Sequence, residues 1–224
     1  DMSAEDAESE ARRVGILFRS ISIEPSFNAF MQSLEGEFSG YEVDVTEENI
    51  QARCRGVILM AIANKKRLMV LTTGNKSELA VGYSTLYGDM AGGFAPLKDL
   101  SKQMVYRLAE WRNNNAVIKG EDLVIPQRVI ERPPSAELAP DQQDSDSLPE
   151  YEVLDQILEL YVEQDSCVTD IVAAGFEQEL VERITRMVDR NEHKRRQAPP
   201  GVRITPRAFG RDRRYPITSG FQSR

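Results

Sequence analysis

The sequence predicts an α/β fold: a doubly wound parallel sheet, then a helical carboxyl-terminal part and a basic tail. Two observations carry the sheet. Up to residue 73 the pattern runs helix, strand, helix, helix, strand, and the second strand-like run is unbroken and apolar, as in a strand buried on both faces. A third carries the rest: from residue 150 apolar side chains recur at helical spacing, and from residue 193 cations dominate.

The elements follow in order. Ser3 with Asp6 three residues on reads as a capping box, and the helix-forming run after it stops before Gly15. LFRSISI alternates apolar and polar residues and reads as a strand over 17–23. Pro25 opens a second helix, and Thr46 caps a third on which Ile50, Cys54, Val57 and Ala61 share one face. RLMVLTT is the next strand, with GNKSE as the loop after it. Ligands of doubly wound sheets sit beyond the carboxyl ends of the strands, so the residues after Leu71 are where chemistry is first expected. A glycine-rich loop spans 83–96, and Asp99 leads a helix whose Leu100, Met104, Leu108 and Trp111 face one way. Five of the eleven prolines fall between Pro126 and Glu150, together with DQQDSDS, which makes that stretch a long irregular segment. Helical spacing returns at Val153, Leu154, Ile157, Leu158 and Tyr161, and again from Phe176 through Leu180, Ile184 and Met187. The division is an α/β core over 1–125, a mobile loop over 126–149, helices of the same domain over 150–192 and a basic tail over 193–224.

Of 224 residues, 28 are Lys or Arg and 36 are Asp or Glu, a net charge of −8, and 41% are hydrophobic. That supplies one sizeable core and excludes collagen, general disorder and a disulfide scaffold. The longest uninterrupted apolar run, Val57 to Ala63, is less than half the ~18 residues a membrane span needs, so no membrane partner is expected. Cys54 and Cys167 read as reduced thiols of a cytoplasmic protein. Because the chain opens on Asp1 without Met or a signal-peptide pattern, it reads as a piece of a longer polypeptide. The tail holds nine cations against Asp212 alone, a balance of +8 that leaves −16 on the body. Such an arm suits a phosphorylated molecule or an acidic protein surface. Its four interspersed prolines, the acidic body and the absence of a recognisable module argue against nucleic acid.

The strongest local signal lies where the apolar strand stops: hydroxyls at Thr72 and Thr73, a Gly74-Asn75 turn, a cation at Lys76 and a carboxylate at Glu78. Hydroxyls and turn amides donate to phosphate, and Glu accepts from ribose hydroxyls or binds a hard cation. The same residues also read as an ordinary helix start, Asn75 capping with Glu78 as its capping-box partner.

VLTTGNKSELAVGYSTLYGDMAGGFAPLKDLSK, preceded by EENIQARCRG and followed by SAELAPDQQDSDSLPEYEVLD and NEHKRRQAPPGVRITPRAFGRDRRYPI, closely resembles the synthetase domain of glutamine-dependent NAD synthetases over nearly the whole chain. The resemblance implies an adenine nucleotide alpha-hydrolase-like (Rossmann-like) fold and a two-step ligation. ATP adenylates the nicotinate carboxylate of deamido-NAD, and ammonia then displaces AMP to give NAD. It also implies ATP as co-substrate, Mg2+ as cofactor, ammonia released from glutamine by a nitrilase-like glutaminase domain, and a homo-oligomer with a dimeric synthetase core. Other ATP pyrophosphatases, of the GMP synthetase or tRNA-thiolating kind, are the alternatives among enzymes, and a non-catalytic nucleotide-binding assembly module is the alternative outside them.

By the same resemblance Thr73, Lys102 and Ser135 contact ATP, and Asn49, Arg53, Glu78, His193 and Lys194 contact deamido-NAD, with Glu78 also a magnesium ligand. Three departures qualify it. The family's Ser-Gly-Gly-x-Asp-Ser phosphate loop and first strand are not found, the glutaminase half with its cysteine nucleophile is not found, and Leu86 and Gly93 stand where the ammonia-only branch carries Lys and Asp. The chain by itself is expected to be inert.

Overall fold

The computed structural model describes residues 2–139 and 142–218; Asp1, Pro140, Asp141 and residues 219–224, with Arg224 of the tail, lie outside the described residues. Helix α1 (Met2–Val14) ends at Gly15 as expected, but Ser3 does not cap it. The Ser3 hydroxyl donates to Glu137 and accepts from Arg132, because Ser3 already lies inside the helix. Helix α2 (Glu24–Phe38) carries Pro25 in its first turn and buries no side chain. Helix α3 (Val45–Lys66) is capped by Asp44, not Thr46: the Asp44 carboxylate accepts Thr46 N–H at 2.7 Å and Glu47 accepts Asp44 N–H at 2.9 Å. A cap must stand outside the helix on extended backbone, and Asp44 does, at φ −144°. Ile50 and Cys54 are buried on α3, whereas Val57 is 64% exposed. Gly56 is buried on a different face, with Ala52 and Ala63, and a Cβ there would lie 2.9 Å from the Tyr87 carbonyl oxygen and 3.0 Å from that of Gly88. The glycine lets the 83–96 loop pack directly on the helix.

The strand expected over 17–23 is not formed among the described residues: the segment has no regular structure and Leu17 is 76% exposed. Residues 67–73 make a single parallel bridge, Leu71 with Phe94, in which Phe94 O accepts Thr72 N–H and Val70 O accepts Gly93 N–H, each at 2.9 Å. Both segments have strand-like sequences but little or no ladder beside them. A strand needs neighbours to take its N–H and C=O groups, which local propensity cannot supply.

Packing is densest in the second half. Helix α4 (Lys76–Val81) is buried nearly throughout and lies against α7 (Tyr151–Leu158) and α9 (Gln178–Arg190), with α5 (Lys102–Ile118) alongside α7. Ser101, not Asp99, caps α5, its hydroxyl accepting Met104 N–H at 3.2 Å. The apolar stripe of α5 is only partly covered: Leu108 and Trp111 are exposed, and Asn113 and Ala116 are the buried positions. Short helix α6 (Gln127–Glu131) and a 3-10 turn (Asp144–Asp146) lie within the 126–149 segment. Helix α7 runs on into a π-turn, Glu159–Glu163, which keeps Tyr161 on its buried face, and α8 (Val168–Ala173) precedes α9. Leu154, Ile157, Ile171, Val181, Ile184 and Val188 are fully buried in this cluster, each worth about 1.5–3 kcal/mol of transfer free energy.

The tail is part of this body as far as residue 218. After α10 (Glu192–Arg195), Phe209 and Tyr215 enter the core, Arg207 and Arg213 both pair with Asp165, and Arg195 is buried against Glu192 at 3.1 Å. Arg195, Arg196, Arg203, Arg207 and Arg213, read as part of a basic arm for an outside partner, thus pair with acids of the same chain. No helix among the described residues is long and apolar enough to cross a membrane.

Candidate functional site

The site begins where residues 70–73 stop. Gly74 turns the chain, and Asn75 caps α4: its side chain accepts Glu78 N–H at 3.0 Å while Glu78 Oε2 accepts Asn75 N–H at 3.1 Å. The capping-box reading of these residues is therefore met, yet it uses only one carboxylate oxygen. The other, Oε1, accepts the Lys102 ammonium at 2.9 Å. Lys76, the cation of the motif, turns away and is buried between Asp99 at 3.0 Å and Glu163 at 2.9 Å while donating to the Thr205 hydroxyl and Arg207 O, so its role is to fix α4 to the tail and the π-turn.

Lys102 is the first residue of α5, and its ammonium lies 5.1 Å from the centre of the Tyr151 ring. Burial disfavours its charge, but Glu78 more than offsets this and holds Lys102 above the usual lysine value. Burial comes first and the charge of Asp144 second in raising the Tyr83 phenol, and burial and the Asp144 hydrogen bond do the same for Tyr151, so both stay neutral donors. Tyr151 donates to Asp144 Oδ2 at 2.7 Å; Asp144 Oδ1 and the Ser84 hydroxyl have no hydrogen-bond partner among the described residues.

Thr73, Glu78, Lys102 and Ser135 line one cavity of about 370 Å3, together with Asp89 and Asp144, and a second cavity of about 90 Å3, which shares Thr73, Glu78 and Asp89 with it, is lined also by Gly74 and Pro199. Ser135 reaches it from the 126–149 segment, where its hydroxyl donates to Gln142 O and accepts Glu137 N–H at 3.0 Å. The other expected residues stand beside this cavity, around the turn at 82–86. Asn49 accepts the Thr85 hydroxyl at 2.8 Å, Arg53 donates to Leu86 O at 3.2 Å, and Lys194 donates to Gly82 O at 2.7 Å and Ser84 O at 2.8 Å. Burial pushes the Lys194 ammonium below the usual lysine value. His193 is exposed, its Nδ1 3.0 Å from Arg190 O, and does not face the cavity.

Sequence reasoning missed Asp89, Asp144 and Asp155. Asp89 accepts Thr85 N–H at 2.7 Å, and burial raises its carboxyl. Asp155 was legible only as a polar break between buried Leu154 and Ile157. The described residues hold no group of three His, Cys, Asp or Glu placed to bind a metal by themselves.

The NAD synthase family model matches residues 1–198. A glutamine-dependent NAD(+) synthetase of Acinetobacter baylyi is 56% identical across 99% of this chain and 40% of that protein, and one of Thermotoga maritima is 50% identical across 98% and 38%. The chain therefore spans about two fifths of the length of the curated relatives it matches. Among solved structures, the glutamine-dependent NAD+ synthetase of Acinetobacter baumannii in complex with ADP shares 50% identity at a TM-score of 0.57, covering 100% of this chain and 39% of that one. NMN synthetase of Francisella tularensis shares 27% at 0.68, covering 92% and 73%. With the family model spanning residues 1–198, the chain belongs to the NAD synthase family.

Proposed function

We propose that this chain is the synthetase part of a cytoplasmic glutamine-dependent NAD synthetase, which amidates deamido-NAD to NAD through an adenylated intermediate. The carrying observation is that Thr73, Glu78, Lys102 and Ser135, far apart in sequence, meet in one cavity. Ammonia would come from glutamine through a nitrilase-like domain outside this chain, in keeping with the names and greater length of the relatives. Segment 67–73, which makes one bridge, and segment 17–23, unpaired among the described residues, are read as strands of the doubly wound parallel sheet, and the chain as half of a dimeric core.

Within this reading Thr73 donates to ATP, Lys102 meets the phosphates with the ammonium it lends to Glu78 when the site is empty, and Ser135 brings the 126–149 segment over the nucleotide. Asn49, Arg53 and Lys194 hold the 82–86 turn that borders deamido-NAD. Catalysis rests on position and charge, since adenylation builds negative charge on phosphate oxygens that a fixed cation stabilises. Glu78 offers one carboxylate, which fits magnesium of the kind held by one or two carboxylates and otherwise by phosphates and water. Bound there, the ion would neutralise phosphate charge.

The test is the full-length protein supplied with ATP, magnesium and either glutamine or ammonium, with deamido-NAD in one arm and nicotinate mononucleotide in the other. NAD and AMP formed in equal amounts from deamido-NAD support the reading. Product from the mononucleotide alone moves the chain toward the NMN synthetase reaction, and no AMP in either arm defeats ligation. Hydrogen exchange over 126–139 should slow at saturating ATP; unchanged exchange would make that segment a linker.

A further inference from the structure

We infer that Asp155 is a positioning residue for this ligation: from α7 its carboxylate ties the first turns of α4 and α5 together and so sets where Lys102 meets Glu78. One oxygen accepts the Ser77 hydroxyl and the other accepts Gln103 N–H at 2.9 Å. The Ser77 oxygen in turn accepts Lys102 N–H at 3.0 Å. Ser77 immediately precedes Glu78 and Gln103 immediately follows Lys102, so each half of the 2.9 Å ion pair hangs one residue from the same carboxylate.

The geometry asks for a carboxylate in particular. Two N–H or O–H donors converge on it from different helices, and an ionised carboxyl accepts on both oxygens while an amide accepts on one and presents N–H on the other. Its position at the start of α5, a helix of 17 residues, also sets its charge against the positive end of that helix. Burial raises the Asp155 carboxyl, and the bonds from Ser77 and Gln103 work against that rise. Asp155 stands apart from the apolar cluster and borders a separate cavity of about 260 Å3 lined by polar groups such as Ser101 and Glu159, so water can replace a lost side chain without opening the core. Its removal should shift the start of α5, and with it the Lys102 ammonium, while the fold stays in place.

The inference rests on the proposed reaction, and a double-mutant cycle in the full-length protein tests it. Asp155→Asn should lower kcat with deamido-NAD and ammonium on the order of 10- to 100-fold, with an unchanged far-ultraviolet circular dichroism spectrum. In a Lys102→Ala background the same substitution should change kcat less than about twofold, because the group it positions is gone. Ser77→Ala, which keeps the carboxylate and removes the hydroxyl link, should show the same dependence on Lys102, and it serves as the test if Asp155→Asn does not fold. The cycle is repeated on ATP affinity by calorimetry. If the wild-type protein makes no NAD, the ligation reading fails and the calorimetric cycle still decides about Asp155. Equal losses in both backgrounds, or no loss in either, overturn the inference.

Discussion

Glu78 divides its carboxylate between two tasks: Oε2 closes the first turn of α4 on Asn75 N–H at 3.1 Å, and Oε1 holds the Lys102 ammonium at 2.9 Å. A glutamine can still serve the capping box, but it cannot hold a cation as an ion pair. Glu78→Gln should therefore keep a thermal midpoint near that of the parent while losing ~10²- to 10³-fold in ligation rate. Steady-state kinetics on the full-length protein with a melting curve checks both halves; parental turnover in the variant would remove Glu78 from the machinery.

Gly56 marks where α3 meets the 83–96 loop. The atoms a methyl group would strike are the backbone oxygens of Tyr87 and Gly88, which cannot rotate away as a side chain could. Gly56→Ala should cost about 1–3 kcal/mol through overpacking, despite the higher helix propensity of alanine. Denaturant unfolding measures it, and a stabilised variant would show that the loop yields freely.

Lys194 spends its ammonium on the Gly82 and Ser84 carbonyl oxygens. Lys194→Met keeps the apolar stem and removes both bonds, so amide exchange at 82–86 should quicken and deamido-NAD affinity should fall while ATP affinity holds. Unaltered exchange with weakened deamido-NAD would instead make Lys194 a direct ligand contact and nothing more.

Asp99 docks the tail by accepting Ile204 N–H and Thr205 N–H, each at 2.7 Å, and pairing with Lys76 at 3.0 Å. Burial alone would raise its carboxyl; the two amides and Lys76 outweigh it, so the group titrates below its usual value of 3.8. A carboxyl lowered in the folded state contributes stability that is present above pH 3.8 and is lost as pH falls through the lower folded value. Protection at 203–205, taken relative to the intrinsic exchange rate at each pH, should thus be high at pH 5 and fall below pH 3.8. Asp99→Asn should release the same segment at neutral pH, at a cost of about 3 kcal/mol because Lys76 is left half compensated. Slow exchange in the variant would place the docking energy elsewhere.

Much was legible along the chain. The end of α1 at Gly15, the opening of α2 near Pro25 and the presence of α9 around Leu180, Ile184 and Met187 were read from signals local to a few residues. Thr73, Glu78, Lys102 and Ser135 were legible as separate motifs. Errors fell where a local signal had competitors: Asp44 stands two residues before Thr46, and Ser101 two after Asp99, with backbone position deciding which one caps.

By itself the sequence determined the longer helices and the charge asymmetry between body and tail, because these depend on neighbours within a turn or on composition, and it carried the family motifs by resemblance. Only the tertiary structure decided that Glu78 both caps and pairs, that Lys76 is a buried strut, and that the tail cations belong to Asp165 and Glu192. It alone also left 17–23 without a ladder. These are contacts between residues tens of positions apart, and a side chain with several possible partners takes the one that burial and backbone geometry bring within hydrogen-bond reach, which no spacing along the chain encodes.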